Sequence, residues 1–204
     1  MITIAVTGGL GSGKTTVVRL LAERGAETIV ADELARRALD RGTRGFDAVV
    51  ARFGDEILDP DGAIDRAALG RIVFADPGAL RELEAIVHPT VQAAMAERMR
   101  ELETSDVVVL ELPLFIESGG RERNQVDGVL VVDTPVDLAV ERVMRDRGIL
   151  EADARTRIAA QVDPGARLRE ADFIIMNHGT RDELEQMVDG AWEWIGRLVG
   201  ERQP

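Results

Sequence analysis

Gly8-Gly9-Leu10-Gly11-Ser12-Gly13-Lys14-Thr15 fills every fixed position of the pattern G-x-x-x-x-G-K-[ST]. Before it, Ile2 to Thr7 is a short β-branched run that predicts a strand. After it, Val17, Val18, Leu20 and Leu21 recur at helical spacing up to Gly25, a residue suited to end a helix. A strand, a glycine loop and a helix in this order make a phosphate cradle. The glycines let backbone N–H groups converge on phosphate oxygens, and the positive end of the helix starting near Lys14 faces the same anion. Lys14 is placed to reach the β- and γ-phosphates of a nucleotide, and the Thr15 hydroxyl to ligate Mg²⁺.

The composition sets the surroundings of this loop. A chain of 204 residues with 45% apolar content can bury a full core, and its length favours one domain, or one domain carrying a sizeable insert. The absence of cysteine excludes a disulfide framework, a thiolate metal site and a cysteine nucleophile. No apolar run reaches the roughly 18 residues of a membrane span, and Met1 to Val6 lacks the basic start and the length of a signal peptide. A cytoplasmic protein is expected, without a membrane partner or an obligate protein partner. The formal charge of −12 argues against binding a nucleic-acid backbone, which needs a basic stripe. Of the 25 basic residues, Lys14 alone is lysine. A compact ammonium fits between two phosphates where a planar guanidinium does not, so the exception to the arginine habit supports the loop's role.

Further along, Thr28 to Ala31 predicts a second strand ending at Asp32. From there to about residue 104 the pattern is helical, broken by turns at Gly42 to Gly45, Asp59 to Gly62 and Asp76 to Gly78, and it reads as an insert over 33–104. His88-Pro89 is expected to end a helix, because the residue before proline avoids the α region. Asp106 to Leu112 and Gly128 to Val132 are nearly all apolar, the pattern of central parallel strands buried on both faces. Helices are expected over Thr134 to Arg147 and Leu150 to Gln161, with a break at Asp163-Pro164-Gly165. A last strand follows at Phe173 to Met176, then a closing amphipathic helix from Arg181 to Val199. Strands alternating with helices predict an α/β fold built on a five-stranded parallel sheet.

The loop alone does not name a reaction. A guanine-reading N-K-x-D is impossible with one lysine at position 14, and Asp59-Pro60-Asp61-Gly62 spells D-x-x-G only in a turn with no buried strand before it. A small-molecule kinase or a non-catalytic nucleotide switch remains. Asp32, just past the second strand, suits the proton-accepting or orienting carboxylate a kinase needs, or the N-cap of a helix from Glu33. Glu111 ends an apolar strand and suits Mg²⁺ held through water. From Glu141 to Glu170 seven arginines meet six acids, a local charge of +1 in a chain of −12. That reversal fits a lid closing on a triphosphate, with Arg142, Arg145, Arg147, Arg155, Arg157, Arg167 and Arg169 as candidates to stabilise the phosphates' charge. Asn177, where the last strand leaves the sheet, suits a contact to the nucleotide base or a simple turn.

Taken together, these stretches resemble the dephospho-CoA kinases over nearly the whole chain. The likeness rests on Thr7 to Thr16 (TGGLGSGKTT), Ala31 to Arg36 (ADELAR), Arg52 to Leu58 (RFGDEIL), Asp65 to Leu69 with Val73 to Asp76, and Leu83 to Pro89 ending in His-Pro. Glu111 to Glu117 (ELPLFIE), Arg157 to Gln161 (RIAAQ) and Asn177 with Gly179 complete it. The resemblance implies a three-layer P-loop kinase fold that phosphorylates the 3′-hydroxyl of dephospho-CoA with ATP and Mg²⁺. It makes 33–104 the acceptor-binding insert and about 142–170 the lid of a single domain over 1–204. Lys14, Asp32 and Arg142 become catalytic residues, with Asp32 as base. ATP falls to Gly9, Leu10, Gly11, Ser12, Gly13, Lys14, Thr15, Thr16, Arg147 and Asn177, the last near adenine. The acceptor falls to Asp32, Arg66, Phe74, His88, Pro113, Leu114 and Glu117, and the metal to Thr15 and Glu111. Alternatives are a kinase of the nucleoside monophosphate, shikimate or gluconate type, and a nucleotide-binding regulator. The family's usual first acid before Asp32 is Val30 here, its usual aspartate is Glu111, and its Arg-Asp before the lid glycine reads Asp146-Arg147.

Overall fold

The computed structural model describes residues 1–202. In chain order, β1 (Ile2–Gly8), α1 (Lys14–Glu23) and β2 (Glu27–Val30) lead to α2 (Ala31–Arg37), α3 (Arg44–Phe53), a 3₁₀ turn (Asp55–Ile57), α4 (Arg66–Ala75) and α5 (Pro77–Glu101). Then come β3 (Val107–Glu111), α6 (Gly120–Asn124), β4 (Gly128–Asp133), α7 (Val136–Arg147), α8 (Glu151–Ala159), α9 (Pro164–Arg169), β5 (Phe173–Met176) and α10 (Arg181–Arg202). Two units result, one built from residues 1–29 and from Leu102 onward, the other from Val30–Glu101.

The first unit holds a five-stranded sheet in the order β2-β3-β1-β4-β5, with β3 and β4 both parallel to β1 and β5 parallel to β4. Ile2, Ile4 and Val6 pack with Val17, Leu20 and Leu21 of α1 and with Val188, Ala191 and Ile195 of α10. Thr3, Ala5 and Thr7 alternate to the opposite face and are buried there too. Burial on both faces is why β1, β3 and β4 read as continuous apolar runs. Because the strands are parallel, the carboxyl ends of β1, β3, β4 and β5 share one edge of the sheet. Gly8, Glu111, Asp133 and the residue after Met176 therefore meet at the place where open α/β sheets take their ligands.

The second unit closes α3, α4 and α5 around Val49, Phe53, Ile57, Leu69, Val73 and Ala79. Its helices start where side chains cap them: Thr43 Oγ1 accepts from the Phe46 N–H at 3.1 Å, and Asp65 Oδ1 from Ala67 at 2.8 Å and Ala68 at 3.2 Å. Asp59 Oδ1 organises the Asp59–Gly62 turn by accepting from Asp61 at 3.0 Å and Ala63 at 2.8 Å, so the D-x-x-G there is turn chemistry.

Three local expectations are corrected. His88-Pro89 does not end a helix: Pro89 lies inside the 25-residue α5. Proline removes the donor that the Ala85 carbonyl would accept from, and packing on α2, α3 and α4 carries the helix through. Asp163-Pro164-Gly165 is not a plain break but the start of α9, with Asp163 as N-cap accepting from the Ala166 N–H at 3.0 Å and Pro164 in the first turn. Asp32 is not an N-cap. α2 begins at Ala31, so Asp32 sits in its first turn, where its charge favours the helix dipole.

Candidate active site

The loop between β1 and α1 is held by its backbone. Gly11 has φ +75° and Gly13, immediately before α1, has φ +89°, conformations L-residues resist. A Cβ on Gly11 would stand 2.6 Å from the Ala139 carbonyl oxygen, so α7 backs the loop closely. Lys14 Nζ folds back over the loop and donates to the carbonyls of Gly8 and Gly9, each at 2.9 Å. The ammonium is thereby held across the same turn whose N–H groups would receive phosphate.

One residue on, Thr15 Oγ1 donates to Glu111 Oε1 at 2.9 Å across the ends of α1 and β3. Glu111 is only 4% exposed. A hydroxyl and a buried carboxylate in contact are oxygen donors that would fit a hard divalent cation such as Mg²⁺, which Thr15 and Glu111 would hold. Among the described residues no cluster of three His, Cys, Asp or Glu forms an all-protein cage.

A cleft of about 490 Å³ opens beside the loop, lined by Gly9, Leu10, Ser12, Thr134, Gln161 and Arg167 among others. Its far wall is the α8–α9 segment. Gln161 Oε1 accepts from the Leu10 N–H at 2.8 Å, tying that segment to the loop. Arg167 lies against Gly9, its other nitrogen donating to the Val162 carbonyl at 2.6 Å. Arg142, half-buried on α7, donates to Asn177 Oδ1 at 3.3 Å. Burial and the neighbouring Arg145 hold its guanidinium below the ordinary value, against the opposing pull of Asp146, yet it remains charged. Two other arginines of the segment are engaged in ion pairs: Arg155 with Glu151 at 2.8 Å and Asp137 at 3.0 Å, and Arg145 with Asp146 at 2.8 Å.

Residues 2–183 match the family described as dephospho-CoA kinase. The chain belongs to that family. A dephospho-CoA kinase from Thermobifida fusca is 44% identical over 202 residues, 99% of this chain and 100% of that protein. Among solved structures, the dephospho-CoA kinase of Campylobacter jejuni matches with a TM-score of 0.72 at 30% identity, covering 96% of this chain and 97% of that one. A Thermus thermophilus protein matches with a TM-score of 0.79 at 33% identity, covering 95% and 97%. Both pairings span the sheet unit and the helical unit alike.

For this dephospho-CoA kinase family member, the first unit gathers Gly9 to Thr16, Glu111, Arg142 and Asn177 at the sheet edge. Pro113, Leu114 and Glu117 follow β3 in the same unit, with Leu114 59% exposed. Arg147 ends α7, exposed. Asp32, Arg66, Phe74 and His88 belong to the second unit, all exposed there, Phe74 to 83%. Arg66 donates to the Arg36 carbonyl at 3.0 Å, joining the starts of α4 and the end of α2. Thr134 and the part played by Gln161 are not visible in the motifs. A polar residue directly after an apolar strand, as Thr134 follows β4, is the signal that finds the first of them.

Proposed function

We propose that the protein transfers the γ-phosphoryl group of ATP to the 3′-hydroxyl of dephospho-CoA, giving coenzyme A and ADP, the last step of coenzyme A synthesis. The observation that supports this is the loop itself, Lys14 folded across it with Thr15 and Glu111 in contact beside it, in a chain that matches the dephospho-CoA kinases along nearly its whole length. Lys14 exchanges its two carbonyl partners for phosphate oxygens and neutralises charge on the transferred group. Mg²⁺, held by Thr15 and through water by Glu111, supplies further charge neutralisation when bound. Arg142 approaches the phosphates from α7, and Arg147 joins it as the lid segment closes. Asp32 takes or orients the proton of the attacking 3′-hydroxyl, and Arg66, Phe74, His88, Pro113, Leu114 and Glu117 are the residues assigned to the acceptor. A cytoplasmic enzyme without nucleic-acid or membrane partners is part of the same reading; among the described residues no helix is long and apolar enough to cross a membrane.

ADP release measured with dephospho-CoA beside nucleoside monophosphates, shikimate and gluconate tests the proposal. Turnover is expected with dephospho-CoA. ADP formed only with another acceptor would sink the acceptor assignment, and no ADP with any of them would favour a regulator.

A further inference from the structure

The last turn of the phosphate loop is held from two strands. Asn177 Nδ2, directly after β5, donates to the Ser12 carbonyl at 2.7 Å. Thr134 Oγ1, directly after β4, lies 3.2 Å from the same oxygen and 2.9 Å from the Asn177 carbonyl. The Asn177 N–H in turn donates to the Asp133 carbonyl at 2.8 Å, so the two struts are joined to each other. Ser12 is 2% exposed and Asn177 6%, and water cannot easily replace these bonds.

The chemistry allows the amide only one orientation. A carbonyl can only accept and a guanidinium can only donate, so the Asn177 NH₂ faces Ser12 while its oxygen faces Arg142. Both ends of the amide are committed to protein. The amide also packs on Gly13, where any Cβ would run into Nδ2. The peptide joining Ser12 to Gly13 is planar and trans, so its oxygen and its N–H point in opposite directions. Pinning the Ser12 oxygen outward therefore turns the Gly13 N–H away from the struts.

Resting on the reading of this loop as the ATP site, we propose that Thr134 and Asn177 are positioning residues, which clamp the Ser12 carbonyl so that the Gly13 N–H is aimed at the phosphates. Asn177 thus acts on the triphosphate through the loop and does not read the base. Thr134 assists from the neighbouring strand, its single hydroxyl proton shared between the Asn177 carbonyl, the nearer at 2.9 Å, and the Ser12 carbonyl at 3.2 Å, and Arg142 fixes the amide.

Binding of ATP and of inorganic tripolyphosphate to the full-length protein, measured by calorimetry, separates the roles. Asn177→Ala is expected to weaken both ligands by the same factor, about tenfold for a lost buried hydrogen bond. Thr134→Val should weaken both in parallel and Thr134→Ser should restore them, with the KM for dephospho-CoA in steady-state assays unchanged across all three. Weakened ATP with unaltered tripolyphosphate in Asn177→Ala would overturn the proposal and return Asn177 to base recognition. Failure of Thr134→Ser to restore what Thr134→Val loses, or a parallel rise in the KM for dephospho-CoA, would overturn it in favour of a general structural role. Wild-type protein that binds tripolyphosphate yet makes no ADP with dephospho-CoA would refute the acceptor assignment alone, since the clamp is read from a ligand lacking both base and acceptor.

Discussion

Gly11→Ala tests how closely the phosphate loop is backed by α7. An alanine at φ +75° pays the left-handed penalty of about 1–2 kcal/mol. Its Cβ would also lie 2.6 Å from the Ala139 carbonyl oxygen and 2.9 Å from Val143 Cγ2. The first is a backbone oxygen held in the hydrogen bonding of α7 and the second a buried methyl on the same helix, so overpacking adds about 1–3 kcal/mol. Gly25 supplies the control: its φ is +109° but nothing lies within 4 Å of the Cβ position, leaving the backbone penalty alone. At about 2–4 °C per kcal/mol for a chain of this size, Gly25→Ala should lower the melting temperature by roughly 2–8 °C, and Gly11→Ala by a few degrees to well over 10 °C. Since α7 cannot retreat, the loop must, so Gly11→Ala should also weaken ATP binding by about tenfold or more while Gly25→Ala leaves it alone. Thermal unfolding by circular dichroism and ATP titration of both variants provide the measurement. Equal melting temperatures with intact ATP binding in Gly11→Ala would refute the packing argument and show slack between loop and helix.

Lys14→Arg keeps the charge but replaces a point donor by a planar fork, and kcat should fall by at least about a hundredfold; near wild-type turnover would remove the reason for the single lysine. Asp32→Asn should lower kcat more than it raises the KM for the acceptor, and a pure KM effect in steady-state kinetics would reduce Asp32 to binding. Glu111→Gln preserves the hydrogen bond to Thr15 but loses the charge. The Mg²⁺ concentration for half-maximal rate should rise about tenfold, and an unmoved Mg²⁺ titration would make Glu111 only a brace. The Glu183 carboxyl is held below its ordinary value by the Thr180 N–H and hydroxyl, at 2.6 and 3.0 Å. A depressed folded-state value means the contribution is present above the usual 4.5 and lost as pH falls through the folded value, so the Thr180 amide resonance should shift as pH falls through that lowered value. Glu183→Gln should abolish that acid shift; its persistence would assign it to another group.

Much of this architecture is written in local pattern. Val107 to Glu111 and Gly128 to Asp133 are legible as strands because burial on both faces leaves no polar position to confuse the period, and Gly8 to Thr15 is legible because phosphate binding constrains so many residues at once. Pro89 misleads because its effect on the backbone is local, whereas the packing that carries α5 past it comes from three other helices. Asp163-Pro164-Gly165 carries both break and start signals, and only the 3.0 Å bond to Ala166 decides between them. The Thr134–Asn177 pairing is invisible for a different reason: 43 residues separate the two, and only the β4/β5 register brings them to one carbonyl. The arginines of the 142–170 segment are equally mute in sequence, where Arg155 and Arg167 look alike; the fold gives the first to Glu151 and Asp137 and the second to the loop.

The lysine folded across the loop has an analytical consequence. In a chain with 24 arginines and one lysine, Lys14 bears the sole side-chain primary amine. An amine-acylating reagent thus has one side chain to modify, and that side chain lies in the nucleotide site. Mass spectrometry of a single peptide, with and without nucleotide, would report occupancy of the site as protection from labelling, without any engineered probe.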